Sequence, residues 1–171
     1  MRLLFLDVDG VLNSRNWITS PRRPTPEQSE VQFPGGRHVR HALRSLDPLA
    51  VAAVNELVTR SEARVVISSS WRTMWPLDKL AYFLRFHGFQ HHLLGATPDL
   101  VETMADTTLF GGGGRGNEIK TWLGLLPWVA PESYLVLDDD HVDVPEGRLY
   151  RTSNTEGFTA GDVAAAQARF R

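Results

Sequence analysis

The chain has no cysteine. Disulfides, thiolate metal sites and a cysteine nucleophile are therefore excluded, although the compartment is not fixed by that alone. Long apolar runs are also missing. Leu3, Leu4, Phe5 and Leu6 are interrupted at once by Asp7 and Asp9. A secretory signal needs roughly 7–15 uninterrupted apolar residues, and a membrane-spanning helix about 18 or more. The expectation is a cytoplasmic protein with no membrane partner. Nor is there an excess of charge of one sign. The formal net charge is -2, so overall charge advertises neither a nucleic acid nor a lipid surface. What remains is ordinary for a globular chain, with 42% hydrophobic and 22% charged residues. A length of 171 residues suggests a single domain over 1–171, long enough to bury a core.

Punctuation and period outline the elements. Leu3 to Val8 reads as a buried strand ended by Asp9-Gly10. Residues 14–45 hold Pro21, Pro24, Pro26, Pro34, Gly35 and Gly36 with little apolar period, and read as an irregular loop or small flap. Asp47 is an N-cap and Pro48 a first helical residue, followed by Ala50, Val51, Val54, Leu57 and Val58 at helical spacing. Strands are expected at Arg64 to Ser68, Gln90 to Leu94, Ser133 to Leu137 and Arg148 to Thr152. Helices are expected from Pro76 to Gly88, Gly116 to Leu126 and Thr159 to Phe170. Residues 95–114 read as irregular, ending in four glycines. This alternation predicts an α/β, Rossmann-like three-layer sandwich with a mostly parallel sheet and no large cap domain. In such a sheet, chemistry belongs just beyond the carboxyl ends of the strands.

Chemistry-bearing residues do follow the predicted strands. Asp7-Val-Asp-Gly carries two carboxylates two residues apart, which share a face of an extended strand before the chain turns at Gly10. One carboxylate can meet a phosphorus atom while the other reaches a leaving oxygen, although a plain polar turn has the same composition. A calcium loop is excluded, because Val11 occupies the next ligand position and the terminal Glu is absent. Val65-Val-Ile-Ser-Ser-Ser-Trp-Arg72 puts hydroxyls at a strand end, as phosphoryl donors or as turn caps. Gly111-Gly-Gly-Gly-Arg-Gly-Asn-Glu118 enters a helix whose N-terminus attracts anions, with Arg115 as the cation. It reads equally as a flexible tether. It lacks the Lys-Ser or Lys-Thr of an NTPase loop, and a dinucleotide fingerprint would require a preceding strand. Tyr134-Leu-Val-Leu-Asp-Asp-Asp140 groups carboxylates that repel one another unless a cation joins them, and Mg²⁺ needs only one or two such ligands.

In this order, these four segments resemble the haloacid dehalogenase-like (HAD) superfamily from Leu3 to about Phe158. The resemblance implies a Mg²⁺-dependent phosphomonoester hydrolase. Asp7 would be the nucleophile and Asp9 the general acid/base. Ser68 (Ser69 if the strand ends one residue later) and Arg115 (Lys120 as runner-up) would hold phosphoryl oxygens. Asp7, the Asp9 carbonyl, Asp138 and Asp139 would hold the metal. Gly10, Ser69, Trp71 and Arg72 stand as substrate-contacting candidates. Asp9 separates this pattern from the family's dehalogenases, which lack a second Asp. More narrowly, the motifs look like the phosphatase-like domains of bacterial RNA-repair proteins, which implies a nucleotide or an RNA or DNA end as substrate.

The 14–45 insert holds six arginines against Glu27 and Glu30, a local charge of +4, which would draw a polyanion or simply solvate a loop. Trp17, Trp71 and Trp75 could stack bases or pack in the core. Two other functions share the motifs. A phosphomutase would need a larger cap to exclude water. A non-catalytic nucleic-acid or phospholigand-binding module would not need an intact nucleophile.

Overall fold

The computed structural model describes residues 1–100, 114–126 and 133–170. Five strands form one sheet: β1 (Arg2–Leu6), β2 (Arg64–Ile67), β3 (Leu93–Ala96), β4 (Ser133–Asp138) and β5 (Leu149–Arg151). Their order is β3-β2-β1-β4-β5, and every pairing is parallel. The chain winds outward from β1 to β3, then returns to β4 on the other side. The carboxyl ends of β1 and β4 therefore flank the point where winding reverses, where α/β sheets bind ligands.

The central strands are apolar on both sides because both faces are covered. Leu4, Leu6, Val65, Ile67, Leu135 and Leu137 pack on one face against α4 (Pro48–Ser61), α6 (Leu77–Phe86) and α8 (Val163–Gln167). Leu3, Phe5, Val66 and Val136 point to the other face, where α7 (Arg115–Gly124) supplies Ile119 and Trp122. Phe5 meets Trp122 edge to face at 5.6 Å. Asp47 accepts the Leu49 amide and starts α4 as its sequence predicts.

Three expectations are corrected. Residues 14–45 are not irregular: they form α1 (Arg15–Ile18), α2 (Pro26–Gln32) and α3 (Arg37–Ser45). A capping box at Thr25 and Gln28 starts α2, and α3 buries Ala42 and Leu43 in the core. The helices are too short, and too interrupted by Pro and Gly, to give a sustained apolar period. The third strand starts at Leu93 rather than Gln90. The C-terminal segment is a 3₁₀ turn (Ala160–Asp162) followed by the short α8, not one long helix. A short helix, α5 (Trp71–Met74), follows β2. The expected glycine run lies outside the described residues except for Gly114. Among the described residues, no helix is long and apolar enough to cross a membrane.

Trp122 is one of the two buried apolar side chains that fix α7 to its sheet face. Trp122→Ala should cost about 3–5 kcal/mol, as large-to-small core changes do, read as a lower midpoint in urea unfolding.

Candidate active site

Register and parity build the site. Leu6 pairs with Ile67 and with Leu137. One step further, Asp7 donates its amide to Leu137 and Ser68 donates its amide to Leu6. Side chains alternate along a strand, so Asp7 keeps the parity of Leu3 and Phe5, Ser68 that of Val66, and Asp138 that of Val136. All three therefore belong to the face covered by α7, and α7 begins at Arg115.

The Arg115 guanidinium meets this row directly. Its Nη1 lies 2.6 Å from Asp7 Oδ2 and 2.5 Å from Asp138 Oδ2. Lys120, one turn on, is exposed and takes no part in the cleft. Close approach of the α7 start depends on Gly116, where a Cβ would fall 2.1 Å from the Asp143 carbonyl oxygen. Burial raises the Asp7 carboxyl to about 6; Arg115 opposes that rise and Asp138 adds to it. Asp138 is also raised, again chiefly by burial. Burial works against the Arg115 charge, yet its two carboxylate partners raise its pKa.

Asp9 is exposed and held by its neighbours. Asn13 Nδ2 donates to Oδ1 at 2.6 Å, the Trp71 indole N–H donates to Oδ1 at 3.0 Å, and Ser70 Oγ donates to Oδ2 at 3.4 Å. Asp139 Oδ2 accepts from Asn154 Nδ2 at 2.6 Å. The 153–157 loop that carries Asn154 is tied to the 11–16 segment through the amides of Arg15, Asn16 and Phe158. The cleft, about 510 Å³, is walled by Asp7, Asp9, Arg115, Glu118 and Asp138 to Asp140, among others.

The donors fit a hard cation. Oxygens of Asp7, Asp138 and Asp139 lie within 4.8 Å of one another. Ligands on one Mg²⁺ at about 2.1 Å sit at most about 4 Å apart, so small side-chain rotations would close the trio on an ion. The Asp9 carboxylate is outside this trio.

Not every candidate sits as expected. Trp71 is 7% exposed and Trp17 6%, so neither offers a ring face for stacking a base. Trp71 instead donates to Asp9 and packs in the core. Trp75 packs edge to face on Phe83. The Gly10 amide is already taken by Asn13 Oδ1 at 2.9 Å, which leaves it no donor for a substrate. Arg72 is engaged by Glu118 at 2.6 Å and by the carbonyls of Ser69 and Pro98. It braces α7 against the β2 loop while facing the cleft. Ser69 bonds to Asp7, whereas the buried Ser68 hydroxyl has no partner among the described residues. Sequence reasoning gave no role to Asn13, Glu118 or Asn154. Asn13 and Glu118 stand inside the motif strings, and Asn154 carries no local signal.

Two outcomes follow from this geometry. Gly10 has φ +68°, and a Cβ there would fall 2.2 Å from Asp139 Cγ. Gly10→Ala should therefore lower the melting temperature and displace Asp139, visible in a crystal structure of the variant. Asp7 titrates near 6 when folded and near 3.9 when unfolded. A raised carboxyl favours the fold while protonated, and that contribution is lost as pH rises through about 6. In EDTA, the melting temperature of Asp7→Asn should therefore gain on wild type between pH 5 and 7. A constant difference across that range would contradict it.

Comparison with known proteins agrees with this architecture. No curated protein and no solved structure matches the chain. The family model described as the HAD domain in Swiss Army Knife RNA repair proteins matches residues 3–163. That span takes in the sheet from Leu3 onward, α7 and every residue of the carboxylate cleft described above, and the chain belongs to this family of HAD-type hydrolase domains.

Proposed function

We propose that the protein is a Mg²⁺-dependent phosphomonoesterase that acts through an aspartyl-phosphate on Asp7, with the phosphorylated end of a polynucleotide as substrate. The observation that carries this reading is the convergence of Asp7, Asp9, Arg115 and the Asp138–Asp139 pair on one cleft at the switch point of the sheet. The family's association with RNA repair supports the substrate class.

Asp7, the Asp9 carbonyl, Asp138 and Asp139 would hold Mg²⁺, which supplies charge neutralisation at the phosphoryl oxygens when bound. An Asp7 carboxylate oxygen attacks phosphorus and the bond to the leaving oxygen breaks. Asp9 gives that oxygen its proton. The two donors on Asp9 Oδ1 leave Oδ2, with its long contact to Ser70, as the oxygen that carries the proton. In the second step Asp9 takes a proton from water, which attacks phosphorus. Inorganic phosphate leaves and the Asp7 carboxylate is restored. Arg115 and the Ser68 or Ser69 hydroxyl stabilise the transferring group's charge. Asp9 is exposed and no residue of 14–45 lines the cleft. Water access of this kind favours hydrolysis over a mutase, and a non-catalytic binder would have no use for a second carboxylate, Asp9, held beside Asp7.

The test is phosphate release by wild type, Asp7→Asn and Asp9→Asn, with Mg²⁺ or EDTA, on an aryl phosphate, mononucleotides and end-phosphorylated oligonucleotides. Wild type should turn over only with Mg²⁺, and best on the oligonucleotides. Asp7→Asn should lose about 10³-fold or more. Asp9→Asn should lose about 10²–10⁴-fold, and less on the aryl phosphate, whose leaving group needs no acid. Wild type inert on every substrate, or Asp7→Asn as active as wild type, would overturn the proposal.

A further inference from the structure

Away from the cleft, α2 and α3 enclose a groove of about 580 Å³. Arg37, His38, Arg40, His41 and Arg44 of α3 line it, and Glu30 is the one carboxylate among its lining residues. It shares no lining residue with the carboxylate cleft. We propose that this groove grips the phosphodiester backbone of the polynucleotide substrate, a reading of substrate class that rests on the phosphatase function above.

The charges of α3 outnumber the carboxylates that face them, Glu30 in the groove and Glu27 near Arg44. Helix neighbours three and four residues apart face one another, and like charges there destabilise the helix. Arg37, Arg40 and Arg44 follow that spacing, as do Arg37 with His41 and His38 with His41. The helix carries no acidic residue of its own. Its ion pair, Arg40 with Glu30, is long at 3.7 Å and its Glu30 side chain is 69% exposed, so it contributes little. Burial lowers the pKa of His41, and Arg23, Arg44, His38 and Arg37 lower it further. The local field is therefore positive enough to discourage another cation. At the same time α3 is firmly seated: Ala42, Leu43 and Leu46 are in the core, and the Trp17 indole N–H donates to the Arg44 carbonyl. The arginines are thus presented from a fixed support, not from a solvated loop.

The spacing favours a chain of phosphates over a single anion. Arg37 to Arg44 spans about 10 Å along a helix that rises about 1.5 Å per residue. A polynucleotide strand carries a phosphate at every nucleotide, so successive phosphates can be met by arginines set along the helix. The cleft itself cannot do this. Seven carboxylates and two guanidiniums line it, so it repels the internal phosphates of a polymer. Polymer affinity must come from a separate positive surface. The insert has a formal charge of +4 in a chain of net charge -2, so the remainder carries -6.

The experiment is fluorescence anisotropy with a labelled single-stranded oligoribonucleotide that has no terminal phosphate. EDTA and low salt keep the cleft out of the measurement. Wild type should bind with log K falling against log salt at a slope of about -2, from roughly 0.7 per phosphate contact on a single strand. Arg37→Gln combined with Arg40→Gln should weaken binding about tenfold or more and flatten the slope by about 1.4, at the same rate per contact. Arg37→Glu alone, at an exposed position on the groove, should weaken it as well if the double variant does not fold. No binding by wild type, unchanged binding in the folded variants, or equal competition by polyglutamate would each overturn the groove. Failure of the two readings is distinguishable. Oligonucleotide bound but never dephosphorylated under Mg²⁺ defeats the phosphatase and leaves the groove standing. Aryl phosphate hydrolysed with no oligonucleotide binding defeats the groove alone.

Discussion

The site depends on the parallel, in-register pairing of β1 between β2 and β4. That pairing brings Asp7, Ser68 and Asp138 level, and the two-residue alternation of strands turns all three toward α7. A slip of one residue in β4 would turn Asp138 into the opposite apolar layer and leave Arg115 with one carboxylate instead of two. The register is protected by the same residues that make the core. Leu3 and Phe5 bury on one side while Leu4 and Leu6 bury on the other, so a shifted strand would misplace every apolar side chain.

The carboxylates that meet there are costly to the fold. Asp7 and Asp138 are both buried and both raised, and one guanidinium bridges them. Burying ionised groups is tolerated only where partners compensate. Arg115 from α7 meets both carboxylates. The neighbouring Asp9 is held by Asn13 from the turn after β1 and by Trp71 at the start of α5, and Asp139 by Asn154 from the loop after β5. The buried Arg72–Glu118 pair holds the β2 loop against α7 and so fixes the distance at which Arg115 works. Stability given up at the carboxylates is regained in the two apolar layers beneath them.

The 14–45 insert divides the labour of charge. The cleft is acidic, suited to a cation and one phosphoryl group, while positive charge is gathered on α3. Its helices were not legible from apolar period. α1 has four residues, α2 seven and α3 nine, so each shows one or two turns between prolines and glycines. The local signals that did exist were caps, such as Thr25 with Gln28, and these mark a start without establishing an element.

Sequence by itself determined the alternation of elements, the two carboxylate segments that end β1 and β4, the Asp47 cap and the glycine before Asn13. These are local properties, set by side-chain period, cap chemistry and backbone freedom within a few residues. It also led to the family, because the spacing of motifs along the chain survives in linear form. Only the tertiary structure decided that Arg115 rather than Lys120 meets the carboxylates, that Trp71 holds Asp9 instead of stacking, and that Asn154 orients Asp139. Each is a contact between segments 15 or more residues apart. Such contacts arise from strand register and helix packing, which no local pattern encodes.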